Sequence, residues 1–107
     1  MQCTVTITCK DFSESRLVEK RTKKEAVIEA MRSIGREYGF DAKRLSGSFW
    51  QYDGRLVELP RKPYDEEATL ILEHAFIVQL YDFRTKEDTY YIMNDTGIKL
   101  TDLLHWR

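Results

Sequence analysis

The segment from Thr22 to Phe40 constrains the fold most, because it is the one long stretch with a clear helical repeat. Its apolar residues occupy one arc of roughly 140° on a helical wheel; they are Ala26, Val27, Ala30, Met31, Ile34 and Tyr38. Thr22 and Glu25 have the spacing of an N-terminal capping box, and Gly39 suits the left-handed residue that ends many helices. We therefore predict an amphipathic helix over about residues 22–38, which must bury its apolar stripe against another element.

The N-terminal residues predict strands. Residues 2–10 alternate between apolar and polar side chains, and the apolar face carries Cys3, Val5, Ile7 and Cys9. Residues 11–15 are typical of a turn, and residues 16–21, with Leu17 and Val18, are predicted to pair back as a second strand. Six residues of extended chain put the two cysteines ~20 Å apart. This is too far for a disulfide, so we expect both to be small buried side chains.

A hairpin is predicted from Leu45 to Leu59, because Asp53-Gly54 is a strong signal for a two-residue turn. Such a turn fixes the register and puts four apolar side chains on one face, which we expect to be buried. These are Trp50, Tyr52, Val57 and Leu59.

The sequence of residues 65–94 leaves open whether its first part is a helix or a strand. The acidic run Asp65-Glu66-Glu67 before an apolar stretch is compatible with the first turn of a helix. The strand-forming residues that follow favour a loop over 64–67 and then a long strand over 68–84, irregular near Glu73-His74. We predict the strand, followed by a hairpin turn over residues 85–88 and a last strand from Thr89.

The predicted fold class is α+β. It consists of a mostly antiparallel sheet of five to six strands, with the long helix packed on one face and a short C-terminal helix near Leu103–Trp106. At 107 residues the chain is expected to form a single domain.

Composition narrows the classes of function. The net charge of −1 argues against a protein dedicated to nucleic acid or to anionic membranes. The charge is uneven, with a balance of +4 over residues 1–62 and −5 over residues 63–107. No apolar run has the length of a membrane span, and no secretory signal pattern is present, so we expect no membrane partner and a cytoplasmic location.

No catalytic or metal-binding motif stands out. His74 and His105 belong to no ligand spacing, and the five glycines form neither a phosphate-binding loop nor a dinucleotide fingerprint. We therefore predict no enzymatic activity, no cofactor and no metal.

Two functional hypotheses follow from the charge pattern. The first is a small non-catalytic module of the inhibitor, immunity or antitoxin kind, which binds a protein of basic character through an acidic, tyrosine-rich surface. Its candidate residues are Tyr64, Glu66, Glu67, Asp82, Glu87, Asp88 and Tyr91. The alternative is nucleic-acid binding through the basic stretch at the helix start, formed by Lys20, Arg21, Lys23 and Lys24. A homodimer through an exposed sheet edge is a further option.

Overall fold

The computed structural model describes residues 1–8, 13–38, 56–73 and 75–94. The elements in chain order are β1 (Gln2–Thr8), β2 (Ser13–Glu19), α1 (Lys23–Tyr38), β3 (Leu56–Glu58), α2 (Asp65–Leu72), β4 (Ala75–Asp82) and β5 (Glu87–Asn94). The five strands form one antiparallel sheet in the order β2-β1-β4-β5-β3. This confirms an α+β fold with a five-stranded antiparallel sheet. Cys9, most of the predicted hairpin and the predicted C-terminal helix lie outside the described residues.

Strands β1 and β2 pair without interruption from Gln2 opposite Glu19 to Thr8 opposite Ser13. Strand β2 therefore begins at Ser13, within the stretch that the sequence predicts to be a turn. The reason lies in the polar face of β1, where threonine and serine hydroxyls meet across the strands. Thr6 Oγ1 lies 2.8 Å from Ser15 Oγ, and Thr8 Oγ1 lies 3.0 Å from Ser13 Oγ.

Helix α1 lies on the apolar face of the central strands. Ala26, Val27, Ala30, Met31 and Ile34 are at most 1% exposed. They pack with strand residues of the same face, namely Cys3, Val5, Ile7, Val18, Val78, Leu80 and Tyr91. The Glu25 backbone N–H donates to Thr22 Oγ1 at 3.1 Å, which satisfies one of the free donors at the helix start.

Residues 65–72 form a helix, so the predicted loop over 64–67 and the strand over 68–72 are wrong. The acidic residues of the first turn indicated a helix, and the prediction of a strand gave them too little weight. The Tyr64 backbone N–H donates to Glu67 Oε1 at 2.9 Å, and Glu67 also binds Arg61. Ile71 is fully buried with Leu59, Ile77 and Ile92, so α2 covers part of the sheet face opposite α1.

The β4–β5 turn occupies residues 83–86, two residues earlier than predicted, and Asp82 pairs with Glu87. The Asp82 carboxylate fixes this position, because its Oδ1 accepts the Arg84 backbone N–H at 2.8 Å. The predicted burial of the two β3-side apolar residues is half right. Leu59 is 5% exposed and packs with Ile71, Ile77 and Ile92, whereas Val57 is 40% exposed.

Candidate functional site

One half of the sheet face opposite α1 is not covered by α2. Strand register places the side chains of Thr4, Thr6, Thr8, Gln79 and Tyr81 on this half-face, and each is only partly exposed. The hydroxyl pairs between β1 and β2 make most of it polar, and Gln79 Nε2 donates to Asp88 Oδ1 at 3.1 Å. We call this surface the open half-face.

A row of large apolar side chains lies at one end of the open half-face. Leu17 on β2 is opposite Thr4 on β1, and Thr4 is opposite Tyr81 on β4. Two strand spacings separate Leu17 from Tyr81, a distance of about 10 Å. The Phe83 ring meets the Tyr81 ring edge to face, with centroids 5.3 Å apart. Leu17 is 70% exposed and Phe83 is 45% exposed, so these three residues form an accessible surface, which we call the apolar row.

The sequence prediction placed Tyr64, Glu66 and Glu67 on a binding surface, and the structure brings them together at the start of α2. Tyr64 and Glu66 are exposed. Glu67 is already paired within the chain, because its two carboxylate oxygens accept from Arg61 at 2.7 and 3.2 Å. The Arg61 guanidinium also lies 3.9 Å from the centre of the Tyr64 ring, an arrangement that favours a cation–π contact.

These contacts shift the acid–base properties of the pair. The hydrogen bond from Arg61, followed by the one from the Tyr64 backbone, lowers the pKa of Glu67. The hydrogen bond to Glu67 raises the pKa of Arg61. Both groups therefore stay ionised and act as a staple across residues 61–67, which gives Glu67 a structural role at the helix start.

The other four predicted residues belong to the final hairpin, and two of them are buried. Tyr91 is 8% exposed and packs on the α1 face, where burial, followed by the charge of Glu58, raises its pKa. Asp82 is 7% exposed and stabilises the turn. Glu87 and Asp88 are exposed at the other side of that turn. Tyr91 and Asp82 are thus corrected from surface residues to internal ones.

The basic stretch lies exposed around the start of α1. Lys20, Arg21, Lys23 and Lys24 are all solvent-accessible. The Lys20 backbone N–H donates to the Met1 carbonyl at 3.1 Å, and Lys23 Nζ donates to Thr89 Oγ1 at 3.0 Å. Lys23 therefore ties the helix start to β5, and the nucleic-acid hypothesis for this stretch stays a prediction.

A groove of about 270 Å³ separates α1 from β2. Arg16 dominates its wall and bridges the two elements: its Nε donates to Ser33 Oγ at 3.1 Å, and another guanidinium nitrogen binds Glu37. A third nitrogen donates to the Ser15 carbonyl at 2.8 Å. Glu29, on the helix side of the groove, pairs with Arg36 at 3.5 Å. The Glu29–Arg36 pair lies within α1, so it is Arg16, through Ser33 and Glu37, that holds α1 against β2.

Cys3 is a free thiol in the core, with Sγ 3.6 Å from the Val18 carbonyl oxygen. Burial is the main cause that raises the pKa of this thiol, and the nearby Asp82 charge adds to it. A protonated, enclosed thiol is a poor nucleophile, so Cys3 acts as a packing residue, as the sequence suggests.

Sequence reasoning did not single out Leu17. The signal was present, because the threonines of β1 mark a polar face and any residue paired with them must share it. Val18, its neighbour, takes the core position opposite Cys3.

Within the described ranges, no group of three or more histidine, cysteine or acidic side chains is arranged to hold a metal ion. The helices of that same part of the chain include none with the length and apolarity that crossing a bilayer demands. No protein-family model, curated protein or solved structure matches the chain.

Proposed function

We propose that this chain is a non-catalytic protein-binding module and that the apolar row is its contact surface. The observation that carries the proposal is the exposure of Leu17 and Phe83 beside Tyr81, on a half-face that α2 does not cover. Exposed apolar side chains gathered at one end of a sheet face are a feature of surfaces that meet a partner. Aromatic side chains are also enriched at the centres of protein interfaces.

The charges around the apolar row favour a basic partner. Glu19 lies two residues from Leu17 on the same face of β2, and Asp88 is directly opposite Tyr81. Both are exposed. A lysine or arginine of the partner would meet these acids while its apolar neighbours cover the row. This keeps the acidic, aromatic character expected from the sequence but moves its centre from Tyr91 and Asp82 to Leu17 and Tyr81.

An affinity capture from the native cell's lysate tests the proposal. The bait is the wild-type chain, compared with a Tyr81→Ser/Phe83→Ser double variant. Leu70→Ser is the matched control, because Leu70 is a 40% exposed apolar residue on α2, away from the row. Since truncated aromatic anchors typically cost ~2 kcal/mol or more, we expect the double variant to lose at least about ten-fold of the captured partner.

Two results would overturn the proposal. Equal capture by the double variant would remove the apolar row as the contact surface. Loss of all capture after nuclease treatment would instead favour nucleic acid, with Lys20, Arg21 and Lys24 as the residues to substitute next. Circular dichroism of each bait shows whether the variant is folded.

A further inference from the structure

Strand β2 is an edge strand of the described sheet, and its hydrogen-bonding directions follow from one contact. The Lys20 N–H donates to the Met1 carbonyl, so these two residues form a hydrogen-bonded pair. Bonded and non-bonded pairs alternate along an antiparallel ladder. Val18, Arg16 and Glu14 therefore bond to β1, whereas the intervening residues direct their backbone N–H and C=O groups to the free edge. The outward set is Ser13, Ser15, Leu17 and Glu19.

This edge is unusually regular for an unpaired one. Natural edge strands are commonly interrupted by proline, by a bulge or by an inward-pointing charge. β2 contains no proline, and its register with β1 runs through seven consecutive pairs without a bulge. Its inward-facing charge, Arg16, is paired within the chain with Ser33 and Glu37 of α1, so it does not interrupt the edge. A straight edge strand without interruptions is a template for another strand.

We propose that β2 pairs antiparallel with β2 of a second copy of this chain, with the two-fold axis at Leu17. The two five-stranded sheets then join into one continuous sheet. Leu17 pairs with Leu17 of the second copy, and each Ser15 pairs with Glu19 across the axis, which forms roughly six new backbone hydrogen bonds. The exposed Leu17 side chains meet at the axis, which removes apolar surface from water.

Side-chain charge selects this register over its neighbours. With the axis at Leu17, Glu14 lies opposite Lys20 of the second copy, twice, and Arg16 lies opposite Val18. Moving the axis to Arg16 places Arg16 against itself, and moving it to Val18 places Arg16 against Lys20. Both of those registers oppose like charges. The axis at Ser15 leaves Leu17 opposite Ser13, so it loses the apolar contact.

One backbone contact must be exchanged, and Glu14, which already accepts from Arg16 at 3.5 Å, gains Lys20 of the second copy as an additional partner. The Ser15 carbonyl, which points to the free edge, currently accepts from an Arg16 guanidinium nitrogen at 2.8 Å. In the dimer this oxygen accepts the Glu19 backbone N–H of the second copy. Arg16 keeps its bonds to Ser33 and Glu37, so the charged group stays paired. The groove beside β2 provides room for side chains of the added strand.

The experiment uses two charge reversals that each oppose like charges across the axis. In a dimer of the Glu14→Lys variant, the new lysine faces Lys20 of the other copy. In a dimer of the Lys20→Glu variant, the new glutamate faces Glu14 of the other copy. Because cross-strand pairs contribute roughly 0.2–1 kcal/mol each and two pairs change sign, we expect each variant to dimerise about ten-fold more weakly than wild type. Sedimentation equilibrium over the micromolar to millimolar range measures this, since a strand-edge contact is a small interface.

Mixing the two variants is the decisive measurement. In the heterodimer of Glu14→Lys with Lys20→Glu, both cross-axis pairs are again of opposite charge, so the mixture should regain wild-type association. A Glu66→Lys chain mixed with a Lys62→Glu chain is the control, because the same charges change next to α2 and each control variant should dimerise alone.

A wild-type chain that stays monomeric over this range would overturn the proposal. So would dimerisation that survives both single reversals, or a control mixture that gains affinity as much as the test mixture does. The Tyr81→Ser/Phe83→Ser variant should dimerise normally, because neither residue lies on β2. Leu17 belongs to both the apolar row and the dimer axis, but the Tyr81→Ser/Phe83→Ser variant and the Glu14 and Lys20 reversals change different residues, so each proposal can fail without the other.

Discussion

The two helices cover opposite faces of one sheet, but they are held there in different ways. Helix α1 has 16 residues and buries a continuous stripe of five apolar side chains against the central strands. Helix α2 has eight residues, of which only Ile71 is buried. Polar contacts at its start stabilise α2 in place of a buried apolar stripe: Arg61 and the Tyr64 backbone N–H both donate to Glu67.

In the described part of the chain, this difference explains why α1 buries more of its sheet face than α2 does. A helix of four turns spans several strands, because it rises about 1.5 Å per residue and strands lie about 4.8 Å apart. A two-turn helix covers a smaller area, so Leu17 and Phe83 stay exposed. Among the described residues, the face that α2 covers is therefore the one with more exposed apolar side chains, and we propose that it is the binding face.

Truncation of the α1 stripe should have the largest effect on stability. Ile34 is fully buried, so Ile34→Ala is expected to lower the free energy of unfolding by about 2–5 kcal/mol. Leu17→Ala removes a similar apolar group from the open half-face and should change it by less than ~0.5 kcal/mol. Urea denaturation followed by circular dichroism compares the two. Equal losses would show that the open half-face is as well packed as the α1 face.

A change at the start of α1 should have the next largest effect on stability, because the Thr22 hydroxyl there accepts from an otherwise unpaired backbone N–H. Thr22→Ala removes the acceptor of the Glu25 N–H and should cost about 1 kcal/mol. Thr22→Ser keeps the hydroxyl and serves as the control. The same denaturation measurement applies, and an alanine variant as stable as the serine variant would show that solvent satisfies this donor equally well.

The sequence predicted best what depends on periodicity. The alternation of Cys3, Val5 and Ile7 identified the buried face of β1, since a strand can bury only every second residue. The β4–β5 hairpin was predicted with its turn two residues too far along. The buried Asp82 carboxylate helps to fix the turn, and burial is not visible in a sequence.

Residues 65–72 show what periodicity cannot decide. Their apolar side chains fit a short strand about as well as a two-turn helix. The deciding contacts are between Glu67, Arg61 and the Tyr64 backbone, and they depend on where the chain turns before the helix. For the same reason the exposure of the candidate residues was predicted only in part. Tyr64, Glu66, Glu87 and Asp88 are exposed, whereas register and packing bury Asp82 and Tyr91.

Removing the Arg61–Glu67 ion pair, which anchors α2, should have the smallest effect on stability. The Glu67 side chain is 18% exposed and that of Arg61 is 35% exposed, so solvent weakens their attraction. The pKa of Glu67 is lowered from its ordinary value of 4.5 by folding. Its carboxylate therefore stabilises the fold above that value, and the contribution disappears as the pH falls through the lower pKa of the folded state.

Comparing Glu67→Gln with wild type from neutral pH into the acid range isolates this contribution. The wild type should be the more stable protein at neutral pH, and the difference should shrink steadily below about pH 4.5 as Glu67 takes up a proton. Amide hydrogen exchange in α2 should show the loss before exchange in β1 does, because local opening precedes global unfolding. Glu66→Gln removes the same charge from an exposed neighbour and should leave exchange in α2 unchanged. If both variants behave alike, then total charge rather than the bond to Arg61 stabilises α2, and the two helices are more alike than their contacts indicate.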